Sequence, residues 1–148
     1  MVSEAEQPAS TERVALGRLL WLGPLVVVGS VAANLAISEV ARSALGVASF
    51  PPLMPEPLIL FTVVGVTGAI IVFALIARFS SWPIRLFRIF GVVALLVSFL
   101  PDIALLVTRA MPGTSVRSVA VLMFLHVVAA AITLVLLTTL AREPRAQG

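Results

Sequence analysis

IFGVVALLVSFLPDIALLVT, residues 89–108, decides the fold. It is twenty residues long and carries one charge, Asp102. About 20 mainly apolar residues, rising about 1.5 Å each as a helix, cover the roughly 30 Å hydrocarbon layer of a bilayer. The apolar residues run on rather than alternate with polar ones, which excludes a strand of a membrane barrel. The whole chain agrees with this segment. Of its 148 residues 60% are hydrophobic and 11% charged, and the mean hydropathy is +1.14. Soluble domains carry about 25% charged residues. A soluble globular enzyme, a disordered chain and a nucleic-acid-binding domain are all excluded.

Three further runs lie on either side of this one. Downstream, the short stretch 109–117 leads to a run at 118–141 whose one ionisable group is His126. Upstream, ARFSSWPIRLFR (77–88) separates the third run from a second at 57–77, and a first lies at 19–38. The expected spans are about 19–38, 57–77, 87–108 and 118–141. The fold class is therefore all-α: a four-helix transmembrane bundle, up-down-up-down, forming a single domain over 16–142. A polar tail at 1–15, read as disordered, and a short tail at 143–148 flank it. The first span is longer than the apolar core of a signal peptide. It follows Glu4, Glu6 and Glu12 rather than a basic segment, so an uncleaved helix is expected.

Charge sets the expected orientation. All ten basic residues are arginine, against seven acidic ones. Arg13, Arg18, Arg78, Arg85, Arg88, Arg142 and Arg145 fall on one side of the spans, and Arg42, Arg109 and Arg117 on the other. The positive-inside rule makes the richer side cytoplasmic, with both termini there. Trp21 and Trp82 fall on the same side and read as interface anchors. Arg85 and Arg88, three apart at the start of the third span, read the same way. Ser80 or Ser81 is the expected cap of that helix, with Pro83 in its first turn. The chain has no cysteine, hence no disulfide or thiolate chemistry. The lipid bilayer is the expected partner, with a second copy or another membrane protein left open and nucleic acid excluded.

The first outer loop, 39–56, is the longest. Its Pro51, Pro52, Pro55 and Pro57 argue against a regular helix. Phe50, Leu53 and Met54 suit a packed cap over the mouth of the bundle, or a lid over a pocket. Within the spans, Pro24 and Pro101 each remove a backbone hydrogen bond. Gly29 with Ala33 and Gly65 with Ala69 suit close helix packing.

Asp102 and His126 stand out because charge inside hydrocarbon costs about 2.5–3.5 kcal/mol on insertion scales. The short connection makes the third and fourth spans antiparallel neighbours, and the two residues lie at similar depth, so a hydrogen bond or ion pair between them is expected. Ser98 and Asp102 share a helical face. Ser30, Asn34 and Ser38 recur every four residues on the first span, and Glu39 stands at its outer end. Asn34, Glu39, Ser98, Asp102 and His126 are thus the candidate ligand- or proton-binding residues of an outer-half polar pocket. The alternative is that these groups only lock helix packing in a non-catalytic subunit or scaffold. A metal site is weakly founded, since one histidine with two carboxylates is a sparse ligand set. A Ser98–His126–Asp102 hydrolase lacks a nucleophile elbow. No catalytic residue, metal or cofactor is assigned.

RLLWLGPL (18–25), ARFSSWPIRLFRIFGVVALLVSFLPDIAL (77–105) and LMFLHVVAAAI (122–132) together resemble an uncharacterised family of small four-helix bacterial integral membrane proteins, a domain of unknown function. The resemblance runs from about Arg18 to Leu140. Its most specific parts are the arginine-rich inner loop, the Ser98–Pro101–Asp102 stretch and His126. It implies a bacterial inner-membrane protein and brings no activity, cofactor or partner.

Overall fold

The computed structural model describes residues 14–142. A short 3-10 turn, Leu16–Arg18, leads into α1 (Leu19–Leu45); α2 (Pro55–Phe79), α3 (Pro83–Thr108) and α4 (Val116–Leu140) follow. There is no strand among the described residues, and all four long helices are apolar enough to cross a membrane. Each has 25 to 27 residues, about 37–40 Å at 1.5 Å per residue. The chain is a multi-pass membrane protein with the up-down-up-down arrangement. Val14, Arg142 and the α2–α3 connection share one end of the bundle, here called proximal. The α1–α2 and α3–α4 loops share the other, the distal end.

The helix ends differ from the sequence expectation in instructive ways. The first helix continues to Leu45, past the expected end at 38. Residues 39–45, EVARSAL, carry the polar groups that end the unbroken apolar run yet form helix readily, and Glu39 and Arg42 pair along the surface at 3.3 Å. Gly46, at φ 66°, ends the helix in the left-handed region that glycine adopts without a Cβ clash. The loop is therefore shorter than 39–56. Its prolines also do not all break helix: Pro55 opens α2 and Pro57 sits in its first turn, where no backbone N–H has an intrahelical partner to lose. Pro51–Leu53 is a 3-10 turn that buries Phe50 and Leu53 completely, so the loop is a packed cap on the distal mouth. The residue before α3 is Trp82, not a serine. Ser80 instead accepts the Trp82 N–H through its Oγ, at 3.0 Å, one step outside the helix.

Two apolar clusters fill the interior. The distal one joins Ala41, Phe50, Leu53 and Leu58 to Val119 and Leu125 of α4. The proximal one joins Leu22 and Val26 to Val66, Phe73, Phe87 and Leu137, with the Phe73 and Phe87 rings tilted at 4.7 Å. On α1, buried Ser30 and Asn34 lie between the residues that feed the two clusters. The packing is uneven. α1 lies against α2 and α4, while α3 packs mainly on α4 and buries only Pro83, Ile84, Phe87 and Asp102. At the proximal end Ala15 N–H donates to Ala141 O at 2.9 Å, and Arg18 reaches the Leu140 and Arg142 carbonyls at 3.1 and 3.0 Å. Val14 and Ala15 thus belong to the bundle. The remainder of the 1–15 tail, and the 143–148 tail, lie outside the described residues.

Candidate functional site

Asp102 is the one buried side chain on the long distal part of α3, at 5% exposure. The helix period brings it to the same face as Ser98, four residues earlier, and that face meets α4. His126 meets it from α4. Its Nδ1 lies 3.4 Å from Asp102 Oδ2 and 2.8 Å from the Leu122 carbonyl, one turn back on its own helix. A carbonyl oxygen only accepts, so Nδ1 carries the hydrogen. The N–H is aimed at the nearer oxygen, and the carboxylate is held at longer range. Asp102 Oδ2 is buried without a hydrogen-bond donor of its own. About a third of the His126 side chain, 36%, stays outside the protein surface. With Nδ1 on the Leu122 carbonyl, Nε2 is the ring nitrogen without a protein partner among the described residues. Chemically this is a carboxylate backing an imidazole, a pair that can gain or lose a proton with a partner group on hand to offset the charge.

The other candidates have separate partners. The Asn34 amide donates to Thr62 Oγ1 on α2 at 3.1 Å, both side chains being buried, and its Oδ1 is buried without a donor. Glu39 is largely exposed and pairs with Arg42. Ser98 donates to the Leu95 carbonyl of its own turn at 2.7 Å and makes no hydrogen bond to Asp102 or His126. The arrangement brings Asp102 and His126 together and leaves Asn34, Glu39 and Ser98 bonded elsewhere.

Sequence reasoning missed three polar features. Thr62 is the partner of Asn34. Ser38, read only as part of a stripe, donates to the Leu53 carbonyl at 2.7 Å and ties α1 to the loop cap. Ser30 Oγ, four residues before Asn34, is buried with no partner. The four-residue spacing on α1 signalled the face; nothing in the apolar run of α2 singled out Thr62. Among the described residues no group of three or more His, Asp or Glu side chains is gathered as a metal site would need.

Trp21 and Trp82 are both about half exposed at the proximal end, and Arg85 and Arg88 are exposed on the first turns of α3. No curated protein and no solved structure matches the chain. A family model described as "Family of unknown function (DUF6069)" matches residues 14–143. That match takes in all four helices, both loop turns and the Asp102–His126 pair, and the chain belongs to this family of unknown function.

Proposed function

We propose that this four-helix membrane protein takes up and releases a proton at the Asp102–His126 pair. The reading is carried by one observation: the chain's one aspartate and one histidine face each other at 3.4 Å across α3 and α4, with part of the imidazole exposed at the bundle surface. A proton needs no cavity, only a group to hold it and a route to that group. A larger ligand would need further polar groups turned toward it, and Asn34, Glu39 and Ser98 are engaged elsewhere. The pair also explains why costly residues stand inside a span: each lowers the cost of the other's charge.

The composition makes the test clean. Isotope-labelled aspartate and histidine each report a single site in the protein reconstituted in lipid vesicles. The expected result is that the Asp102 carboxyl and His126 ring resonances move together as bulk pH is changed, and that Asp102→Asn displaces the histidine titration. Resonances that ignore bulk pH in intact, folded protein end the proposal.

A second reading is a helix lock in a non-catalytic subunit or scaffold. It is favoured by Asp102 being the one fully buried side chain on the distal stretch of α3, where Leu105 and Leu106 are only partly buried. Removing one member of a buried ion pair costs about 3–5 kcal/mol in soluble proteins, whereas polar contacts between membrane helices average about 0.6 kcal/mol. Asp102→Asn and His126→Ala that unfold early in detergent favour the lock. Variants that melt like the parent but no longer titrate favour the proton site.

We further propose the plasma (inner) membrane as the location, with both termini cytoplasmic. The orientation is supported by the distribution of arginine: Arg18, Arg78, Arg85, Arg88 and Arg142 at the proximal end against Arg42, Arg109 and Arg117 at the distal end.

A further inference from the structure

We infer that the distal groove between α1 and α4 is a site for one anionic phospholipid, its headgroup phosphate on Arg117 and an acyl chain lying along the groove. The groove is an open channel of about 680 Å³. On α1 it extends from Ala36 to Leu45, about 13 Å at 1.5 Å per residue. Small side chains make the room: Ala36 and Ala44 on one helix and Ala120 on the other. Val40 and Phe124, both more than half exposed, form its rims. Apart from Arg117 its lining side chains are apolar, and Arg117 stands at the mouth, in the first turn of α4. The polar end and the apolar length are therefore ordered as they are in a lipid.

Arg117 is also in the wrong place for any purely local role. The first turn of a helix is the positive end of its dipole, where cations are disfavoured and anions favoured. No acidic residue lies in that turn, and Arg117 has no hydrogen bond or ion pair among the described residues. The nearest acidic residue of the neighbouring helix in sequence, Glu39, falls about 100° round α1 from Val40 and is held by Arg42. A phosphate at this point meets the guanidinium and the helix dipole together. A second copy of the chain would instead have to bring its own acidic group to Arg117. Among the acidic residues in 14–142, Glu39 is paired and Asp102 buried, which leaves the exposed Glu56 as the one group a second copy could offer, and the test below separates that occupant from a lipid.

The test places a reporter in the groove. Phe124→Trp is made in a Trp21→Phe, Trp82→Phe background, so that all tryptophan emission comes from the groove. The protein is reconstituted in phosphatidylcholine vesicles containing either brominated phosphatidylglycerol or brominated phosphatidylcholine, which quench on contact. The expected result is a preference of about fivefold for the anionic quencher, the factor that one basic side chain near a charged headgroup supplies. Arg117→Gln should bring the two lipids to parity, and Ala120→Phe, which fills the groove, should do the same. Arg117 is exposed and outside the Ser115–Ser118 cap, so its replacement leaves the helix start intact. Equal quenching in the parent reporter overturns the inference, as does a preference that survives Arg117→Gln. Protection from both quenchers that grows with protein-to-lipid ratio also overturns it, and assigns the groove to a second copy.

Discussion

At Gly91 the α3 backbone approaches α4 so closely that an added Cβ would lie 2.6 Å from Leu134 Cδ2 and 3.2 Å from its Cγ. Two carbon atoms cannot share that space, so Leu134 would have to move. Overpacking costs about 1–3 kcal/mol and replacing a mid-helix glycine returns about 0.5–1 kcal/mol, so Gly91→Ala is expected to cost about 1–2 kcal/mol net. Leu134→Ala in the same chain should recover part of it, a non-additivity that thermal unfolding of the two single variants and the double in detergent would measure. If Gly91→Ala melts like the parent, the leucine end swings aside freely and the close approach is not what holds α3. Single residues were unequally legible in the sequence. Asp102 and His126 announced themselves, because a charge within an apolar run must find a partner, and the short connection left few choices. Thr62 did not. Thr62 and Thr67 are alike in type and lie in one apolar run, yet the first is buried against Asn34 and the second is exposed. A hydroxyl that can bond its own helix is acceptable on either face, so only the fold separates the two.

Helix ends carry the next level of organisation, and the seven-residue loop between α3 and α4 is strained at one side and well capped at the other. α3 ends on Arg109 at φ 49°, in the left-handed region that costs a side chain about 1–2 kcal/mol. Arg109→Gly should therefore raise stability by about 1 kcal/mol, provided the gain is not lost to the freer unfolded chain. α4, by contrast, begins well. Ser115 Oγ accepts the Ser118 N–H at 3.1 Å, and Ser118 Oγ accepts the Ser115 N–H at 2.8 Å. Ser115→Ala should cost about 0.5–2 kcal/mol. Unfolding midpoints of the two variants should move in opposite directions; movement in the same direction would show that the left-handed Arg109 or the Ser115 cap does not carry the energy assigned to it. The number, order and character of the helices were legible, because crossing hydrocarbon demands long apolar runs. Their ends were not. Past Ser38 the unbroken apolar run ends but the helix does not, and hydropathy marks only the first of these events. Pro55 and Pro57 misled for a related reason: proline stops a helix from within and starts one from its first turn.

The two chain ends of the bundle meet at the proximal end, where Val14 bridges Arg142 and Arg18 donates to the last carbonyls of α4. An even number of spans already puts both ends on one side, and this clasp closes the ring by joining α1 to α4. A guanidinium on the carbonyl end of a helix satisfies orphan acceptors and complements the dipole. Arg18→Ala is accordingly expected to cost about 1 kcal/mol and to speed amide exchange in the last turn of α4. Which compartment that end faces is a property of the molecule as a whole, because the arginines that decide it come from the N-terminal segment, the middle loop and the C-terminal segment together. The absence of cysteine makes the question direct. Ser81→Cys places one thiol in the proximal loop and Met111→Cys one in the distal loop, both at exposed positions. In intact cells a membrane-impermeant maleimide should label Met111→Cys and should reach Ser81→Cys only after permeabilisation. The converse pattern would put the arginine-rich end outside and reverse the proposed orientation. Labelling of both thiols in intact cells would mean that the arginine bias is too weak to fix a single topology. Replacing Arg78, Arg85 and Arg88 with glutamine then supplies the causal step. With that bias reduced, the proximal thiol should begin to react from outside in a fraction of molecules, while Met111→Cys loses labelling in the same proportion.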